Sequence, residues 1–134
     1  MVQFNRLNEE RARAAGRLVH TPAGAVYVEE SGSLEGEPII LVHGLAASTV
    51  IWRSLSSFLV SAGYRVITYD LFGRGLSDRP KQRHQIALFR TQLANVLAAC
   101  GVTQPIRLVG LSMGGLIAAD YAAMHPDQIR QLIL

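Results

Sequence analysis

Among the 134 residues there is one cysteine, Cys100. A lone thiol rules out an internal disulfide and makes a reducing cytoplasm the expected compartment. Long apolar runs are missing too. None approaches the ~20 residues that cross a bilayer, so no membrane span is expected. The opening stretch, Met1 to Arg17, is polar and arginine-rich without an apolar centre, so it does not read as a secretory signal. Arg11, Arg13 and Arg17 give it a trace of a transit peptide, and Glu9 and Glu10 argue against that. His20, His43, His84 and His125 show no paired ligand spacing, which leaves no expected metal site. No G-K-[ST] tripeptide occurs, and this removes a phosphate-cradling P-loop. Charge is sparse at 17%, with a net +3. The basic residues are scattered rather than gathered on one face, so nucleic acid is not an expected partner.

What is present is apolar and periodic. Hydrophobic residues make up 49% of the chain, which indicates a globular domain with one core. Residues 1–16 read as a polar segment with a short surface helix whose charges are solvated. Residues 17–134 read as one partial α/β domain. Arg17 to His20 and Ala25 to Glu30 predict an antiparallel hairpin around Thr21-Pro22-Ala23-Gly24. Pro38 to His43 is a continuous apolar run, the mark of a strand buried on both faces. Ile51, Trp52, Leu55, Phe58, Leu59 and Ala62 then recur at helical spacing as an expected core face. Arg65 to Tyr69 predicts another strand, followed by a glycine-punctuated loop. A helix is expected from about Gln82 to Cys100, with Cys100 in the core. Ile106 to Val109 predicts a strand, and the residues after it a helix apolar nearly all round, hence deeply packed, with Met124 in its packing. Ile129 to Leu134 begins one more strand, expected as an exposed edge. Strands alternating with helices predict an α/β fold with a mainly parallel sheet.

Chemistry concentrates at Gly110-Leu111-Ser112-Met113-Gly114, a G-x-S-x-G pattern between that strand and its helix. Such a turn is tight and strained, and it lifts the serine hydroxyl clear at the carboxyl end of the sheet. Small residues are needed where strand and helix approach. Gly110 and Gly114 meet that need, and Gly115 is expected to add clearance. The helix N-terminus behind the serine favours developing negative charge.

Two further motifs precede it, each after a predicted strand: Val42-His43-Gly44-Leu45 and Asp70-Leu-Phe-Gly73-Arg-Gly75-Leu-Ser77-Asp78. The three together resemble the α/β-hydrolase superfamily, more narrowly its serine esterases, lactonases and cofactor-free perhydrolase-like members. The resemblance runs from about Arg17 to Leu134. It implies Ser112 as nucleophile, with the backbone N–H groups of Leu45 and Met113 as oxyanion donors. It makes His43 a loop anchor rather than a base, with Gly44 permitting close backbone approach. Asp70, Gly73, Gly75 and Ser77 would fix a loop at the pocket rim, where substrate contact by Phe72 or Arg74 is the alternative. Met113 would line the pocket, and Trp52 belongs to the core. Gly73-Arg-Gly75 is no dinucleotide fingerprint, because Asp78 stands at the third glycine.

The family order is serine, acid, histidine, the last two on loops after later strands. No histidine of this sequence stands at the position of the base. The expected function is therefore the N-terminal part of a serine hydrolase cleaving a carboxylic ester, lactone or related small acyl substrate, without cofactor. A carbon–carbon bond hydrolase of the same fold also uses serine. The rival reading is a catalytically silent fragment or assembly module, meeting a second copy or a complementary C-terminal half through its open sheet edge. A nucleotide-binding α/β domain is the third reading.

Overall fold

Strands that are apolar at every position need cover on both faces, and helices supply it here. A computed structural model describes residues 2–134. The elements in order are α1 (Val2–Arg13), β1 (Arg17–Thr21), β2 (Gly24–Ser31), β3 (Pro38–Val42), α2 (Arg53–Ser61), β4 (Arg65–Tyr69), α3 (Ile86–Ala99), β5 (Ile106–Gly110), α4 (Met113–Met124) and β6 (Ile129–Ile133). A 3-10 turn, Thr49–Trp52, leads into α2, and Ser48 caps it by accepting from the Val50 amide.

One sheet holds all six strands in the order β1-β2-β4-β3-β5-β6. β1 and β2 form an antiparallel hairpin, and β2 lies antiparallel on β4. β4, β3, β5 and β6 run parallel. Parallel neighbours require crossovers, and α2, α3 and α4 are those crossovers. This is the mixed, mainly parallel α/β architecture with an antiparallel N-terminal hairpin that the sequence predicts.

Alternation along the strands divides the core in two. Ile40, Val42, Ile67, Tyr69 and Leu108 face α3 and α4, against Phe89, Leu93, Val96, Ile117 and Tyr121. Ile39, Leu41 and Val66 face the other way, against Trp52, Leu59 and Val60. Burying each such side chain contributes about 1.5–3 kcal/mol. Cys100 sits in the first layer, where burial pushes its thiol up to about 11.

Several expectations need correction. In α2 the sheet is met by Trp52, Leu59 and Val60, whereas Ile51, Leu55 and Phe58 point outward, Phe58 being 69% exposed. α4 is buried on one face only, through Gly114, Ile117, Ala118 and Tyr121; Leu116 and Met124 stand exposed. α3 begins at Ile86, not Gln82, because Gln85 is extended and His84 turns back to hydrogen-bond the Pro80 carbonyl. The polar segment is not merely solvated. The Arg11 guanidinium donates to Asp78 Oδ1 at 2.7 Å and to the Leu76 carbonyl at 2.8 Å, docking α1 on the loop after β4.

Candidate active site

β3 and β5 are parallel neighbours, so the turns after both open at the same sheet edge. The turn after β5 carries Ser112. Its φ is +55° and ψ −120°, the one positive φ of a non-glycine among the described residues. Such a backbone costs on the order of 1–3 kcal/mol and persists only where its surroundings enforce it. The Leu111 amide donates to the Val42 carbonyl, and the Gly114 and Gly115 amides to the Leu111 and Ser112 carbonyls. These bonds fasten the turn to β3 and start α4.

The close approach is measurable. A Cβ on Gly110 would lie 2.6 Å from Gly115 Cα and collide with the Gly114 carbonyl. A Cβ on Gly114 would lie 2.5 Å from the His43 carbonyl oxygen. Gly115 differs from the expectation: a Cβ there would meet the Gly110 carbonyl at 3.4 Å, an ordinary contact. Clearance comes from the other two glycines. The Ser112 side chain is exposed, and its hydroxyl has no hydrogen-bond partner among the described residues. Met113 packs its side chain on the core rather than standing free.

The loop after β3 abuts this turn. A Cβ on Gly44 would lie 3.3 Å from Ser112 Cβ and 3.8 Å from its hydroxyl oxygen. Neither the Leu45 amide nor the Met113 amide has an acceptor among the described residues. Met113 opens α4, where the first amides have no intrahelical acceptor, and Leu45 lies on an exposed loop, so both N–H groups are open to an incoming acceptor. His43 is fully buried beneath them. Its Nε2 accepts from the Leu71 amide at 3.0 Å, so the ring proton is on Nδ1, 2.7 Å from the Gly44 carbonyl oxygen. Burial lowers the His43 pKa, and Arg74 adds to this against the pull of Asp70. Asp70 Oδ1 lies 3.9 Å from Nε2, but an accepting nitrogen carries no proton, so the two do not form an ion pair.

The loop after β4 is organised by Asp70. Burial pushes its carboxyl upward in pKa, while the amides of Leu76 and Thr49 pull it back by donating at 2.8 and 2.7 Å. Gly75, at φ +50°, leaves space that the Asp70 carboxylate fills. Gly73, at φ +80°, lies against the His84 ring. Ser77 donates to the Asp70 carbonyl and accepts from the Tyr27 amide. Phe72 is buried and does not face the site. Arg74 donates from Nε to the Leu45 carbonyl at 3.0 Å and from Nη1 to the Phe72 carbonyl at 2.8 Å. Gln92, which no sequence pattern singled out, reaches from α3 to donate to the Asp70 carbonyl and accept from the Phe72 amide. It sits at a buried polar position inside an otherwise apolar helical face, and that was the available signal.

None of the four histidines bonds to Ser112. Both ring nitrogens of His43 are engaged by backbone. His20 lies in β1 at the far hairpin. His84 bonds the Pro80 carbonyl. His125 packs its ring, tilted, against Tyr121 past the end of α4, about 20 Å from Ser112 at 1.5 Å per residue. Among the described residues, no group of three metal-ligating side chains exists and no helix is long and apolar enough to cross a membrane.

A parallel α/β sheet that presents a strained serine between strand and helix, with a glycine loop from the neighbouring strand beside it, defines the class: a hydrolase-type α/β fold. Comparison with known proteins agrees. The chain belongs to the alpha/beta hydrolase fold family, whose profile matches residues 37–134. It is 36% identical over 110 residues to Lipase 1 of Psychrobacter immobilis, covering 81% of this chain and 34% of that protein. It is equally identical, over the same length, to a putative non-heme chloroperoxidase of Synechocystis sp., covering 39% of it. Among solved structures, a bromoperoxidase from Bacillus anthracis superposes with a TM-score of 0.80 at 33% identity, over 88% of this chain and 43% of that one. The chain thus spans between a third and a half of the proteins it resembles.

Proposed function

We propose that these residues carry the nucleophile and the oxyanion-holding loops of a serine hydrolase acting on carboxylic esters, lactones or related small acyl compounds. Ser112 Oγ attacks the acyl carbonyl carbon. The carbonyl oxygen becomes an oxyanion and accepts from the Leu45 and Met113 amides, with the N-terminus of α4 adding a favourable field. Loss of one such donor costs on the order of 3 kcal/mol of transition-state stabilisation. The C–O bond then breaks, the alkoxide leaves with a proton, and water releases the acyl group from Ser112. The base that takes the serine proton, and the acid that orients it, come from outside residues 1–134 in this reading. All four histidines here are engaged or distant, and the relatives are more than twice as long. Residues 17–134 then form one part of the hydrolase domain, with α1 docked on it through Arg11.

The observation that carries the proposal is the exposed, positive-φ serine beside two amides without acceptors. The test is acyl transfer from p-nitrophenyl acetate, read as an acetyl group on the peptide bearing Ser112. Acetylation that disappears in Ser112→Ala supports the proposal. Equal background release of p-nitrophenol by both chains, with no acetyl-serine, overturns it.

A second reading has its own support. β6 is an edge strand, and Ile133 at its end and Leu134 after it are exposed. An apolar strand with unpaired backbone is a template for another strand. In this reading the chain associates through β6, and a concentration-dependent elution volume tests it.

A further inference from the structure

We infer that Arg74 is a positioning residue that fixes the direction of the Leu45 amide; the inference rests on the reading of that amide as an oxyanion donor. The Leu45 N–H lies in the 44–45 peptide plane, antiparallel to the Gly44 carbonyl, and that plane swings unless both of its ends are placed. Side chains grip it and the next plane, the 45–46 peptide. His43 Nδ1 holds the carbonyl of the first, that of Gly44, at 2.7 Å. Arg74 Nε holds the carbonyl of the second, that of Leu45, at 3.0 Å. The Ala47 amide also donates to the Gly44 carbonyl, at 3.3 Å, so the oxygen of the first plane is held twice. Arg74, by holding the next carbonyl, places the Leu45 Cα end of that plane, and the direction of the N–H follows. The Leu45 side chain provides no anchor of its own, the residue being 57% exposed.

Arg74 is itself well held. Nη1 bonds the Phe72 carbonyl at 2.8 Å, and the guanidinium carbon lies 5.8 Å from the Phe89 ring centroid on α3. The guanidinium therefore ties the loop after β3 to the loop after β4 and to a buried helix face. A planar fork spreads its donors to two separate carbonyls while its carbon stays near the ring; an ammonium gathers its donors at one point. This also reassigns Arg74, for which the sequence offered only substrate contact at the rim.

The test uses the 134-residue chain with Arg74→Ala and Arg74→Lys. The order parameter of the Leu45 N–H, read by 15N relaxation, is expected to fall from about 0.85 in the parent to below about 0.6 in both variants, with the β3 and β5 amides unchanged. Acetylation of Ser112 should slow by on the order of tenfold to a hundredfold, with ester binding unaltered. Arg74→Lys, which keeps stem and charge, should fail to restore either; it also carries the test if Arg74→Ala fails to fold. An unchanged order parameter at Leu45 in the folded variants overturns the inference. A parent chain that never acetylates Ser112 sinks the hydrolase reading instead, and the Leu45 order parameter still decides the role of Arg74.

Discussion

The Leu71 amide donates to His43 Nε2 across the core, and that one bond settles which way the neighbouring loop faces. With Nε2 accepting, Nδ1 must carry the proton, and only a protonated Nδ1 can hold the Gly44 carbonyl. The buried ring joins two loops that meet nowhere else through backbone. It can do so only while neutral, since a second proton would set two donors, Nε2–H and the Leu71 N–H, against each other.

A pH dependence follows. Burial lowers the His43 pKa below its ordinary value of about 6.5. The unfolded chain takes up a proton near that pH and the folded chain resists it. Stability tied to His43 is thus complete above about pH 6.5 and falls as pH drops toward the lowered folded value, by at most ~1.4 kcal/mol per pH unit. Asp70, raised by burial, acts with the opposite sign. Urea unfolding followed by Trp52 fluorescence, from about pH 7 down to about pH 5, should show the loss. His43→Gln should flatten it. A parent chain equally stable at both ends contradicts a neutral buried ring.

Ser112 holds a backbone that glycine adopts freely. Ser112→Gly should therefore be more stable than Ser112→Ala by about 1 kcal/mol, the relieved strain less the added freedom of the unfolded chain. Both variants lack the hydroxyl, so the comparison isolates the backbone. Identical urea midpoints would mean that the turn is not strained.

The three glycines of the elbow should separate sharply. Gly110→Ala and Gly114→Ala each press a methyl into backbone that cannot retreat, at a cost of about 2–3 kcal/mol. Gly115→Ala meets only ordinary contacts and lies inside α4, so it should be neutral or gain up to ~1 kcal/mol. Equal losses at all three positions would show that helix and strand are not in close contact at Gly110 and Gly114.

Local pattern made much of this legible. The strand at Ile39–Val42 is an unbroken apolar run, that at Val66–Tyr69 is β-branched and aromatic throughout, and the turn at Ser112 is spelled by the glycines around it. The side of α2 that meets the sheet was not legible. Ile51, Leu55 and Phe58 share helical spacing with Trp52 and Leu59, and periodicity alone does not choose between two apolar stripes. The bonds of Arg74 and Gln92 were also hidden. Their partners, the Leu45 carbonyl and the backbone at Asp70 and Phe72, lie about 20 to 30 positions away, and a carbonyl has no letter in a sequence.

The division of the core gives the molecule two built-in witnesses. Trp52, its single tryptophan, stands on one side of the sheet, and Cys100, its single thiol, on the other. Indole emission and thiol trapping therefore watch opposite layers with no foreign label. If both signals change at one urea concentration, the sheet comes apart as a unit; if they part company, one flank of helices lets go before the other.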